Sequence, residues 1–207
     1  MTGPGITVVV PHIPPRLADL VQCLGSINAQ TRGADAVIIA TDNTRAGSAA
    51  TRTRGLMQSV TEFSAFVDDD DVLLPDHLRV LEAGARESGA DVVYSGCFVI
   101  DQNAQQLAPR EEWGRFGLPF DGDLLRERSW LPVTSLVRTG LAQEVGGFAY
   151  KTDPHSGGEY DDWGFYLRML DAGAIFHHVP VRSWLWRHHG RGRPGVPGNT
   201  SGKAGNW

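Results

Sequence analysis

The chain has 207 residues, 41% of them hydrophobic, with a formal net charge of −5. That length suits a single domain with a real core, and the apolar share excludes a disordered chain. No run approaches the roughly 18–20 apolar residues of a membrane-spanning helix, and residues 1–5 lack the basic and apolar parts of a signal peptide, so a cytoplasmic protein without a membrane helix is expected.

The charge is uneven. From Ala172 onward there is no Asp or Glu, while Arg182, Arg187, Arg191, Arg193 and Lys203 give +5. Residues 1–171 hold the other 14 basic residues and all 24 acidic ones, which gives −10. Four histidines (His177, His178, His188, His189) lie in the basic end. Such a tail suits a nucleic-acid arm, or a site that holds a cation together with a polyanion. Cys23 and Cys97 sit inside apolar patterns and read as small core residues rather than a disulfide or zinc framework.

In chain order, Ile6–Val10 is an apolar run broken only by Thr7 and ended by prolines, which predicts a buried strand. Leu17, Leu20, Val21, Leu24 and Ile27 fall on one helical face. Ala36–Ala40 is a second strand, so the first forty residues form a βαβ unit with a right-handed crossover. Residues 43–55 are polar and basic, and 56–60 read as the end of a helix. Phe63–Val67 is a third strand. Asp76 opens a helix that Gly89 closes. Asp91–Ile100 is a fourth strand, and 101–130 is irregular and charged. Residues 131–138 and 145–148 read as short strands or turns. A helix starts near Tyr160, with Trp163, Tyr166, Leu167 and Leu170 on one face. Ala174–Val181 is a last strand, and from Gly190 the Gly, Pro and Arg content predicts a loop. There is no internal repeat.

Four constellations carry chemistry. Asp68-Asp69-Asp70-Asp71 lies between a strand and an apolar segment. A charge run is usually a solvated loop, but the carboxyl ends of strands in an open α/β sheet are where ligands bind. Adjacent carboxylates repel each other and gain from a cation, and an oxygen-only set favours Mg²⁺ or Mn²⁺ shared with substrate phosphates. A calcium loop starting at Asp68 would need Gly and Glu where Leu73 and Arg79 stand. The same run fits the D-x-D-x-[TV]-[LV] pattern of haloacid-dehalogenase-like phosphatases, with Asp68 as nucleophile, although a complete βαβ unit precedes it. Asp161-Asp162, at a helix start beside aromatics, serve either as helix caps or as a general base. Arg52 and Arg54 are either a solvated face or guanidinium groups for a diphosphate. Arg187-His188-His189 adds imidazole, a ligand for Mn²⁺-class ions.

In order and spacing these pieces resemble a family-2-like glycosyltransferase of the GT-A fold, over nearly the whole chain. ITVVVPHIPPR looks like the family's opening strand and turn, with Pro11 on the nucleotide side. Asp42 matches the acid that contacts the nucleoside, and Arg52 in GSAATRTRGL matches the arginine of "A-R-N-x-G-L". FVDDDDVLLPDHL resembles "hhLDxDDhhxPxxL". The resemblance makes Asp70 the direct metal ligand and sets Asp68 and Asp69 on the nucleotide side. EVGGF resembles the acceptor-side "vGGF". YDDWGFYLRML resembles "EDWxxxxR", which puts the base carboxylate at Asp162, with Asp161 in place of the motif's glutamate. WRHHG…NTSG resembles "R-x-H…N-x-S", so His189 completes the metal shell. The family's "P-T-Y-N" is here Pro11-His12-Ile13-Pro14, without its base-stacking tyrosine.

The resemblance implies one α/β domain with a Rossmann-like, mostly parallel sheet. Residues 1–100 form the nucleotide half, 101–181 the acceptor half and 182–207 a flexible lid. It implies a metal-dependent, inverting transferase with a nucleotide-diphosphate sugar as donor, UDP-sugar favoured. The acceptor (glycan, protein or small molecule) and the oligomeric state stay open, and no nucleic acid is expected. A phosphatase, a nucleotidyltransferase and a non-catalytic nucleotide-sugar binding module are the alternatives.

Overall fold

In the computed structural model, residues 3–109, 116–148, 161–188, 192–193 and 196–197 are described. Their centre is a seven-stranded sheet in the order β2-β1-β3-β6-β5-β7-β4. The strands are β1 Gly3–His12, β2 Ala36–Thr41, β3 Thr61–Phe66, β4 Val72–Leu73, β5 Val92–Ile100, β6 Ser135–Arg138 and β7 Phe176–Arg187. Both β2 and β3 run parallel to β1, and β7 runs parallel to β5. Only β6 and β4 oppose their neighbours, so five of the seven strands point the same way.

Helices cover both faces, and strand alternation assigns the side chains to them. Ile6, Val8 and Val10 of β1 pack with Leu20, Cys23 and Ile27 of α1 (Leu17–Asn28) and with Leu78, Leu81 and Ala85 of α3 (His77–Ser88). Val9 faces the other way. It joins Ala49 and Leu56 of α2 (Ser48–Leu56), Leu125 of α4 (Gly122–Glu127), Ala142 of α5 (Thr139–Glu144) and Phe165, Tyr166 and Met169 of α6 (Asp161–Asp171). Cys23 and Cys97 are buried thiols in the first of these cores, as expected. Among the described residues no helix is long and apolar enough to cross a membrane.

Several boundaries differ from the sequence expectation, each for a local reason. The polar segment 48–55 is itself helix α2. Its buried side mixes Ala49, Thr51 and Gly55 with Arg52 and Leu56, and a Cβ on Gly55 would lie 2.5 Å from Val9 Cγ1, so the helix sits almost on β1. Residues 72–73 form β4 rather than entering a helix. Residues 139–144 form α5, and α4 interrupts the irregular stretch, with Asp121 accepting Leu124 N–H at 2.9 Å as its cap. On α1 the apolar stripe is wider than the buried face, since Leu17 and Val21 are exposed. The strand expected at 174–181 runs on to Arg187. Pro180 has no N–H for the ladder, and the register shifts there, from Val179 opposite Ser95 to Arg182 opposite Gly96. Residues 182–187, expected in the lid, therefore belong to the sheet. Beyond them Gly192–Arg193 pairs with Val196–Pro197 as β8 and β9.

Two buried polar groups tie β7 to the rest. His77 Nδ1 lies 2.7 Å from Ser183 Oγ, which lies 2.6 Å from Ser95 Oγ, so α3, β7 and β5 share one chain of hydrogen bonds. Arg187 is 1% exposed. Its Nε donates to Asp70 O at 2.8 Å, its Nη1 to Asp101 O at 3.2 Å, and its Nη2 to Gln22 Oε1 at 2.9 Å. Its backbone N–H donates to Asp71 Oδ1 at 2.9 Å. The end of β7 is thereby fastened to the turn after β3 and to α1.

Burial pushes the His77 imidazole down to about 3, against the hydrogen bond to Ser183. The unfolded chain binds that proton near pH 6.5 and the folded chain does not, so stability must fall as pH drops from 6.5 toward 3. Urea unfolding across that window should show the slope, and His77→Gln should flatten it. Arg187→Met should lower unfolding free energy by about 3–5 kcal/mol, since it leaves Asp70 O, Asp101 O and Gln22 Oε1 without their buried donor while the backbone N–H to Asp71 is kept. A denaturation midpoint within error of wild type would contradict that.

Candidate functional site

Strand order 2-1-3 creates a switch point: the chain leaves β1 toward β2 on one side and returns to β3 on the other. Ligands in such sheets bind in the crevice outside the carboxyl ends at that point. The end of β1 carries His12, followed by Ile13 and Arg16, and the turn after β3 carries Asp68–Asp71. Both segments meet there.

The turn gives each of its four carboxylates a separate environment. Asp68, at the rim, accepts Arg52 Nη2 at 2.7 Å. Asp69 turns toward β1, where Oδ2 meets His12 Nδ1 at 2.8 Å and Ile13 N–H at 3.0 Å, and Oδ1 meets Arg16 Nη1 at 3.3 Å. Asp70 pairs with Arg16 Nη1 at 2.7 Å. Asp71 points inward to Arg187 N–H and is buried. Burial, then the charges of Asp70 and Asp68, drive its carboxyl well above the usual range. Burial also raises Asp69, against the hydrogen bond from His12. One oxygen each from Asp68, Asp70 and Asp71 lies within 4.8 Å of the others. An all-carboxylate set of that span fits a hard divalent cation. The Arg16 guanidinium on Asp70 is an internal sign that positive charge is stabilised at this point.

Asp42 ends β2 beside this crevice. Its carboxylate accepts N–H groups of Thr44 at 3.2 Å, Ala46 at 2.9 Å and Gly47 at 2.8 Å, folding the loop into α2 around itself. Burial opposes its ionisation, but those three donors outweigh burial and hold the carboxyl below the usual range. Pro11 is buried in the last turn of β1, paired with Ala40.

The acceptor-side motifs meet around Phe148. Gly146 and Gly147 have φ of +84° and +67°, and a Cβ on Gly147 would lie 3.0 Å from Thr53 Oγ1, so both positions call for glycine. Thr53 Oγ1 bonds both the N–H and the C=O of Phe148. Arg168, the arginine of the "EDWxxxxR" resemblance, donates to Val145 O at 3.2 Å and to Gly147 O, and so holds the same turn from α6. The Phe148 ring stacks on Phe165 at 4.2 Å and meets Phe66 edge-on, with the Arg52 guanidinium 5.7 Å above it. Thus Arg52 joins the acid turn to the glycine turn.

Asp162 stands in the first turn of α6. That end is anchored by Trp163 Nε1 donating to Leu125 O at 2.6 Å, while Trp163 N–H donates to Asp162 Oδ1 at 2.9 Å. Tyr166, one turn on, hydrogen-bonds Ser135 and Pro132 O. Its phenol is pushed up by burial first, and it also feels Asp162, Arg52 and Asp68. Asp161 opens α6, and His189 lies outside the described residues. The sequence did not single out Arg16, and it named Asp71 only as the last of the run of four acids. Arg16 has the signal of place, at the carboxyl end of β1, but a lone arginine after prolines has no motif.

The comparisons with known proteins bear on this arrangement. The S. aureus TarS 1-349 crystal structure in complex with UDP-GlcNAc superposes with a TM-score of 0.65 at 16% identity, over 90% of this chain and 59% of that one. The same S. aureus protein with UDP gives 0.63 at 16%, over 90% and 60%. The chain thus spans about 60% of the length of these TarS structures, and the likeness is one of fold. No curated protein matches the chain. A family model described as Glycosyl transferase family 2 matches residues 29–142, more than half of the chain and the stretch that carries α2, the acid turn and β6. By that match the chain belongs to glycosyl transferase family 2.

Proposed function

We propose that this chain transfers a sugar from a nucleotide-diphosphate sugar to an acceptor hydroxyl, with Mg²⁺ or Mn²⁺ and with inversion at the anomeric carbon. The observation that carries the reading is the convergence of Asp68, Asp70 and Asp71 within 4.8 Å at the β1/β3 crevice. Family membership supports glycosyl transfer. The UDP and UDP-GlcNAc complexes of TarS support a UDP-sugar as donor, through likeness of fold.

In this reading Asp70 and Asp68 hold the cation with help from His189, and Asp71 backs them from the core. Bound there, the cation offsets charge that builds on the leaving diphosphate. Arg52, already 2.7 Å from Asp68, adds a second positive charge on that side. Asp42 and Pro11 shape the nucleoside end of the crevice, and Asp69 contributes by fixing the loop after β1. Asp162 accepts the acceptor's hydroxyl proton as the oxygen attacks from the face opposite the diphosphate, with Asp161 as the neighbouring carboxylate. Inversion in one step requires one base and no enzyme nucleophile, a role that Asp162 alone can fill.

Two substitutions test it. Asp70→Asn should abolish Mn²⁺-dependent UDP binding in calorimetry. Asp162→Asn should keep UDP binding within about threefold and cut transfer or donor hydrolysis by roughly 10²–10⁴-fold. Near-normal turnover by Asp162→Asn would refute the base assignment.

A further inference from the structure

We propose that Arg16 is a resident counter-ion of the metal site, which the divalent cation displaces from Asp70 and which the donor's diphosphate then receives; this rests on the sugar-transfer reading above. The position of its guanidinium is the evidence. Nη1 lies 2.7 Å from Asp70 and 3.3 Å from Asp69. Asp70 is one of the three acids whose oxygens converge, so the chain's own positive charge stands against the carboxylate that the metal needs.

The group is placed rigidly. Pro14–Arg16 is a single 3-10 turn, its prolines fix φ, and Arg16 N–H donates to Ile13 O at 3.0 Å. The side chain is 14% exposed, and Nε has no hydrogen-bond partner among the described residues. It is therefore a desolvated cation held by two carboxylates and short of acceptors.

That placement has a thermodynamic consequence. A metal binding alone takes Asp70 away from Arg16 and leaves the guanidinium with Asp69 only, which is costly for a buried charge. A diphosphate arriving at the carboxyl ends of β1 and β3 supplies new oxygens, and a guanidinium accepts two of them side by side. Metal alone thus works against Arg16, and metal with diphosphate does not. Each ligand must then tighten the other by the same factor.

Mn²⁺ titration read from the paramagnetic signal of free Mn²⁺, with and without UDP, tests this without any turnover. In the wild-type protein UDP should tighten Mn²⁺ binding by about tenfold or more. Arg16→Gln should tighten binding of Mn²⁺ alone by about tenfold and reduce the UDP effect to roughly threefold or less. Arg16→Lys, which keeps the charge but lacks the planar guanidinium that takes two phosphate oxygens side by side, should fall between them, and it carries the test if Arg16→Gln does not melt cooperatively. Mn²⁺ affinity that is unchanged or weaker in both variants would overturn the counter-ion role while leaving the metal site standing. Failure of the wild type to bind Mn²⁺ even with UDP would overturn the metal reading itself, and this proposal with it.

Discussion

Four consecutive carboxylates in one turn, three of them buried, are the constraint that the rest of this structure answers. Side by side in a poorly solvated place, such charges raise each other's energy unless each is neutralised or paired. The fold resolves the conflict by sending them in different directions. Asp69 is given to the loop after β1, Asp68 to α2, and Asp71 to the interior with its carboxyl driven toward the neutral form. Asp70 remains beside Arg16. Every partner comes from a segment distant in sequence, so the turn acts as a clasp between β1, α2 and β7.

The clasp explains features with no evident bearing on chemistry. Arg187 lies 116 positions from Asp71 and is among the most deeply buried large side chains. An arginine is tolerated there because most of its donors meet carbonyl oxygens, Asp70 O among them, leaving the carboxylates of the turn to other partners. Pro180 and the register shift in β7 let the strand pack Val179 against α3 and then resume with Trp184 and Arg187 at the turn. The glycine turn at 146–147 does similar work on the other face, since Thr53 and Arg168 bind its backbone and bring Phe148 under Arg52.

Much of the fold was legible because apolar periodicity reports burial, and burial dominates in β1, α1, β3, α3 and β5. Gly89 read correctly as a helix end because it adopts φ +71° there. Legibility failed where burial is achieved without apolar mass. Before its last residue, Leu56, helix α2 buries only alanine, threonine, glycine and an arginine, so its pattern looks like a polar loop. Strand β4 is two residues long and exists only because β7 passes beside it. In the site, Asp70, Asp68 and Arg52 were readable as a motif in order. The roles of Arg16 and Asp71 were not, because they depend on which of four identical neighbours each residue faces, and a repeated letter carries no direction.

The charge asymmetry of the chain takes on a specific meaning from these contacts. A +5 segment following a −10 body suggests an arm for a polyanion if its cations project outward. Of that segment's cations, Arg187 instead turns wholly inward to the acid turn, and Arg182 lies along β5, donating to Cys97 O at 3.2 Å with its guanidinium 5.4 Å from the centre of the Phe98 ring. Both are spent on the fold before any ligand arrives. Arg187 therefore acts first as internal support for the acid turn, placed where β7 reaches the carboxyl ends of β1 and β3. In the proposed reading, the affinity of a nucleotide diphosphate for this crevice depends on which internal cation it takes over, rather than on the net charge of the surface.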